Sequence, residues 1–130
     1  MLRTLIFILF MTTGSASACN STLFTLVSWK LEPIEAQHMA LTAVFRSNSS
    51  RTILEIVAEA GFIGADGFEI GRYELFPMIT FEPNAEREDR SVFGPDTFVK
   101  ELAEAKPEEV TTFLCVKSVT YDDFDQERFP

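Results

Sequence analysis

The sequence predicts an all-β domain with antiparallel pairing, and three stretches carry that expectation. Residues 37 to 46 alternate, with Met39, Leu41, Ala43 and Phe45 on one face and His38, Thr42 and Arg46 on the other. That period of two is the signature of a strand with one buried face. An Asp66-Gly67 pair stands between apolar runs; Gly accepts positive φ without a steric penalty, so the pair marks a hairpin turn. Val110 to Tyr121 is dense in β-branched and aromatic types, which suit a pleated, half-buried surface.

Not all 130 residues belong to that domain. Residues 1 to 18 hold one base, Arg3, then an apolar run from Leu5 to Met11 and small residues ending Ala16-Ser17-Ala18, the layout of a secretory signal peptide. Taking those eighteen away leaves 112 residues as a single domain, 19 to 130, with twenty acids, ten bases and a net charge of −10. The expected location is therefore periplasmic or extracellular. The seven-residue apolar run is far below the roughly 20 residues that span a hydrocarbon core, so no transmembrane segment is expected. A sequence pI near 4.5 argues against nucleic acid as partner, because phosphate binding needs a clustered basic surface. The length argues against barrel and two-lobed cofactor enzymes.

In chain order, residues 22 to 31 are rich in β-branched and aromatic types and stop before Pro33, which predicts the first strand. Residues 37 to 46 form the second, followed by the turn formers Ser47-Asn48-Ser49-Ser50. Arg51 to Gly61 reads two ways. Ile53, Ile56, Val57 and Ala60 have helical spacing, with Ser50 to cap and Gly61 to terminate, whereas Leu54, Ile56, Ala58 and Ala60 form one face of a strand. The Asp66-Gly67 turn that follows favours the strand and predicts a hairpin from about Thr52 to Phe76. Pro77, inside the apolar run to Phe81, suggests an edge or a bulge. Glu82 to Arg90 is mixed-charge and is expected to be an exposed loop entering a strand at Ser91 to Phe93. Phe98, Leu102 and Ala105 have helical spacing between Asp96, a candidate cap, and Pro107, so a short helix is expected over 97–106; an α+β fold is the alternative class. Eleven Phe remain after the leader's two, and most of these rings are expected in the core.

Only two cysteines are present, Cys19 and Cys115. An oxidising compartment lets them form a disulfide, closing a loop of 96 residues. The competing reading makes Cys19, the first residue after a small-residue cleavage site, a lipid anchor; one sulfur cannot serve both.

The order of motifs, Ala43-Val44-Phe45-Arg46-Ser47-Asn48-Ser49, then Ala65-Asp66-Gly67-Phe68-Glu69-Ile70-Gly71, then Lys106-Pro107-Glu108-Glu109-Val110 leading into Val116-Lys117-Ser118-Val119-Thr120-Tyr121, resembles small bacterial exported domains of the FxLYD type. That resemblance implies an antiparallel immunoglobulin-like β-sandwich and brings no shared catalytic residues.

Candidate chemistry is sparse. His38 is the only histidine, so any Ser-His-Asp relay would be built on it; its outward position on a strand makes it a surface residue. One His and two distant Cys do not give zinc a ligand set, and no cofactor motif is present. Asp122, Asp123 and Asp125 are the one weak calcium candidate, but the run lacks the Asp-x-Asp-x-Asp-Gly spacing of a calcium loop and reads as a solvated acidic tail. Asn20-Ser21-Thr22 and Asn48-Ser49-Ser50 match the glycosylation sequon. The expected function is thus a non-enzymatic exported domain that binds a protein or envelope component. A periplasmic inhibitor or immunity protein steered to a basic enzyme by charge is the alternative, and a hydrolase using a carboxylate pair comes third.

Overall fold

The period-two alternation becomes seven strands: β1 Phe24–Pro33, β2 Met39–Ser47, β3 Ile53–Ile63, β4 Glu69–Glu74, β5 Glu86–Phe93, β6 Thr111–Tyr121 and β7 Gln126–Arg128, with one helix, α1 Val99–Glu104, between β5 and β6. The structure is a computed structural model and describes residues 19 to 130; the signal peptide expected at 1–18 lies outside the described residues. Pairing is antiparallel throughout, in a three-stranded sheet ordered β1-β2-β5 and a four-stranded sheet ordered β4-β3-β6-β7. The all-β sandwich is therefore the fold.

The core lies between the sheets. Leu41, Ala43 and Phe45 of β2, the face predicted to be apolar, are fully buried against Ile56, Ala58, Ala60 and Phe62 of β3. Each large side chain buried this way contributes about 1.5–3 kcal/mol. Trp29, Phe62, Tyr73, Phe93 and Phe98 form a run of edge-on and stacked rings toward the β4 and β5 side. Phe68, Phe76 and Phe124 are the exposed exceptions.

Arg51–Gly61 resolves as strand, and its face assignment needs one refinement. Ile53 pairs with Tyr121 and Glu55 with Thr120, so Leu54 is the extra residue of a bulge. A bulge shifts the alternation by one, which places Ile53 on the same buried face as Ile56. The β3–β4 turn has Gly67 at φ 82°, the conformation for which the Asp-Gly pair was read. Asp66 Oδ1 accepts from the Phe68 amide at 3.0 Å and fixes the turn.

Two expectations are corrected. The span 82–90 is not all loop: β5 begins at Glu86 and pairs along β2 from Arg46↔Glu86 to Met39↔Phe93. Its mixed charges hid a strand because Glu86, Arg87 and Glu88 are all exposed, and Asp89, which turns inward, is itself an acid. The helix is also shorter than 97–106. Asp96 does not cap it; Phe98 holds the cap position without a side-chain bond, and Thr97 Oγ1 donates to the Gly94 carbonyl at 2.8 Å. Pro107 opens a separate 3₁₀ turn through Glu109. Val99 and Leu102 are the residues α1 buries.

Candidate functional site

The two long sides of the sandwich are built differently, and the difference defines the candidate site. On the β4/β5 side, the chain after β4 runs on along β3. The Leu75 amide donates to Ala58 at 3.0 Å, Pro77 accepts from Ile56 at 3.0 Å, and Phe81 exchanges two bonds with Ile53. The strap then crosses to the other sheet, where Ala85 accepts from the Ser47 amide.

The outer edges of β4 and β5 are themselves bare among the described residues, but the opposite side has no such strap between its sheets. Among the described residues β1 pairs only with β2 over its ten residues. On the outer edge of β6, the short β7 covers Ser118 to Thr120, Phe129 donates to Lys117, and Asn20 exchanges two bonds with Val116. From Thr111 to Cys115 β6 pairs, among the described residues, with β3 alone. Between these two open edges lies a cleft of about 370 Å³ lined by Ser21, Phe24, Thr25, Leu26, Thr112, Phe113 and Leu114. Not one of these residues is charged, in a chain that is 24% charged.

Local chemistry sets the mouth of the cleft. Asn20 Oδ1 accepts from the Thr22 and Leu23 amides, both at 2.8 Å, turning the chain from the cysteine toward β1. Asn48 Nδ2 donates to the Thr22 carbonyl at 2.9 Å and to Thr25 Oγ1 at 3.0 Å. Both sequon asparagines thus have structural duties at this rim. Cys19 and Cys115 form the expected disulfide, Cα–Cα 5.1 Å, and pin the N-terminal segment to β6. With the Cys19 sulfur in that bond, lipid attachment at Cys19 does not accompany this state. On the outer face of β6, the Phe113 ring lies over Gly61, where any Cβ would fall within the ring, and Arg72 stands 5.2 Å from the ring centroid. Lys117 at 3.2 Å and Arg72 at 3.4 Å bond Glu59. The Lys117 bond holds the Glu59 carboxyl below its usual value, against a smaller desolvation effect.

The other sequence candidates fall elsewhere. His38 lies half-buried between the 3₁₀ turn at Glu35–Gln37 and β2, its Nδ1 3.0 Å from the Ala36 carbonyl, and among the described residues no acid or nucleophile is bonded to it. Asp123 and Asp125 are taken up by a residue the sequence reading did not connect to them. Arg51 Nη2 donates to both Asp123 oxygens, at 3.0 and 2.9 Å, and Nη1 reaches Asp125 at 3.5 Å. The Arg51 guanidinium also stacks 3.7 Å above the Tyr121 ring. Asp122 contributes its amide to the Thr52 carbonyl. The tail is therefore an ion-paired hairpin tip, and among the described residues no group of three or more metal-ligating side chains converges. Burial pushes the Tyr121 hydroxyl up to about 12, helped by its 2.6 Å bond to Glu127.

Sequence reasoning missed a second polar feature, Asp89. It pairs with Ala43 on the inward face of β5 and is 4% exposed. Among the described residues, its Oδ2 and the buried Tyr73 hydroxyl both lack hydrogen-bond partners. Burial raises the Asp89 carboxyl above its usual value, against the Phe76 backbone N–H that bonds it. Burial, with Asp89 adding to it, likewise raises Tyr73. The signal was present as parity: Asp89, Ser91 and Phe93 share a face once β5 is recognised as a strand.

Two further clefts flank α1. One, about 480 Å³, lies between α1 and the β1–β2 connection, with Met39 and Val99 in its wall. The other, about 330 Å³, has Ile70 and Val110 among its walls and is rimmed by Asp66, Glu101, Glu104 and Glu109 without a base. All four carboxylates are exposed, the reverse of the dry setting in which a catalytic carboxyl works. In comparison with known proteins, the chain matches no family, no curated protein and no solved structure.

Proposed function

We propose that the protein is an exported, non-enzymatic immunoglobulin-like β-sandwich that binds a protein or cell-envelope partner through its open side. One observation carries this reading: the β1 edge and the Thr111–Cys115 edge of β6 are open together across an uncharged cleft. Unpaired strand edges are where other chains add, and natural proteins ordinarily block them. The strand order supports the immunoglobulin-like part. Three strands face four, and the chain changes sheet at β2–β3, β4–β5 and β5–β6, the interleaving of a Greek-key sandwich. The disulfide and the leader-like segment at 1–18 support export. No helix among the described residues is long and apolar enough to cross a membrane. A pulldown from envelope extract with the oxidised protein as bait is expected to return the same partner repeatedly; returning none removes the reading.

The acid-rimmed cleft beside α1 favours a second reading, an inhibitor or immunity protein for a basic enzyme. Here binding to a basic lytic enzyme is expected at low salt and is lost as salt rises; no binding at low salt disposes of it.

A further inference from the structure

We infer that the open side is a strand-acceptor cleft whose occupant is one extended, uncharged segment of a partner protein, added beside Thr111–Cys115 of β6. The inference rests on the binding-module reading and names its partner chemistry. Three features converge. First, β7 occupies the outer edge of β6 only along Ser118–Thr120, and Phe129 and Asn20 carry the line to Val116, so an added strand continues a row of pairing already begun. The backbone groups from Thr111 to Cys115 recognise another backbone, which selects an extended peptide over a helix or a small molecule.

Second, the cleft wall combines alkyl and aromatic groups of Phe24, Leu26 and Leu114 with the hydroxyls of Ser21, Thr25 and Thr112. An acceptor of alternating character takes a strand that alternates the same way, apolar inward and hydroxylated outward. Third, charge selects against most of the chain's possible partners. The domain carries a net charge of −10 after its leader, yet no carboxylate or cation lines this cleft. A charged segment seated here would lose water and find no counter-ion. A second copy of the chain fits less well, because two copies bring their negative charge together.

The test is backbone amide hydrogen exchange of the oxidised protein with a synthetic probe, a capped seven-residue peptide of alternating Thr and Val, at millimolar concentration. Amides within Thr111–Cys115 are expected to exchange at least about tenfold more slowly with the peptide present. The same peptide N-methylated at alternate residues, which cannot pair, is expected to give no protection, and a Lys-for-Val version to bind less well. Thr112→Lys, placing a charge in the cleft, is expected to abolish protection while leaving the melting curve unchanged; Leu26→Lys serves as a second variant should that one fail to fold. Protection at β5 or around α1 alone, no protection, stronger binding of the Lys peptide, or concentration-dependent protection of Thr111–Cys115 without any peptide would each overturn the inference, the last in favour of a second copy. If wild type and Thr112→Lys retain the same envelope partner equally, the cleft is wrong and the binding-module reading stands; if neither retains any partner, that reading fails too.

Discussion

The β4/β5 side and the β1/β6 side solve the problem of sheet edges in opposite ways. On the first, a strap from Leu75 to Ala85 hydrogen-bonds across the gap, and β5 presents Glu86, Arg87, Glu88 and Arg90, charges that resist edge-to-edge association. On the second, a covalent bond replaces the strap, and among the described residues the Thr111–Cys115 edge of β6 stays uncharged and without a strand beside it, while the charges of β1, Lys30 and Glu32, pair with each other at 3.2 Å. The closed side tolerates a defect in its interior, the unpartnered Asp89 and Tyr73 oxygens. The open side has a well-satisfied interior and an unsatisfied surface. Unpartnered polar atoms are thus buried inside on the strapped side, and bare backbone edge lies outside on the cleft side.

The strongest way to break this contrast is to cut the disulfide. Cys19 and Cys115 close a loop of 96 residues, for which loop entropy gives about 4–5 kcal/mol and measured cases commonly about 2–5. The double variant Cys19→Ala/Cys115→Ala is expected to lose stability in that range by urea denaturation, a large part of the total for a domain of this size. Exchange protection is expected to fall first at Asn20–Val116, next to the bond. An unchanged midpoint would mean that the open side is held by its hydrogen bonds alone.

A change on the closed side is expected to have the opposite sign. Because the folded Asp89 carboxyl is raised above the unfolded value, the folded state binds its proton more tightly. Stability contributed by the protonated form is therefore full below the unfolded value and falls as pH rises toward the folded one, leaving a penalty above it. Asp89→Asn keeps the shape and removes the buried charge, so it is expected to stabilise the protein by about 1 kcal/mol at neutral pH. It is also expected to flatten the decline in stability above the ordinary carboxylate range, measured as melting temperature against pH. Equal pH profiles for the two proteins would show that Asp89 ionises without cost.

The sequence made the central hairpin, β2 and β6 legible because their signals are local: alternation over ten residues, a turn pair, a density of β formers. The disulfide was legible because two cysteines in a chain with a leader-like first segment leave one partner each. What was not legible depends on distant partners. Nothing near Asp123 announces Arg51, and the charges of β5 look like a loop until β2 lies beside them. Leu54 is a further case, since a bulge appears only when β6 sets the register. The open cleft belongs to the same class: Phe24 and Leu114 are unremarkable hydrophobes until β7 proves too short to cover the edge between them.

The smallest expected change in folding comes from removing the charges that protect β5, and it tests the contrast most directly. Glu86, Glu88 and Arg90 are exposed, and the pair nearest to a contact, Arg46 with Glu86 at 3.7 Å, is a surface one. Such pairs contribute about 0–1 kcal/mol, and Thr has a higher strand preference than Glu or Arg, so Glu86→Thr/Glu88→Thr/Arg90→Thr is expected to alter stability by no more than about 0.5 kcal/mol. Its effect is expected in association instead. With three of its four exposed charges gone and only Arg87 left, β5 loses most of its electrostatic block, so sedimentation should show concentration-dependent self-association that the wild type lacks. If the variant stays monomeric, the charges are not what keeps that edge bare. If wild type and variant associate alike, an edge other than β5 joins them, and slowed exchange at Thr111–Cys115 with rising protein concentration would place a second copy on the open side.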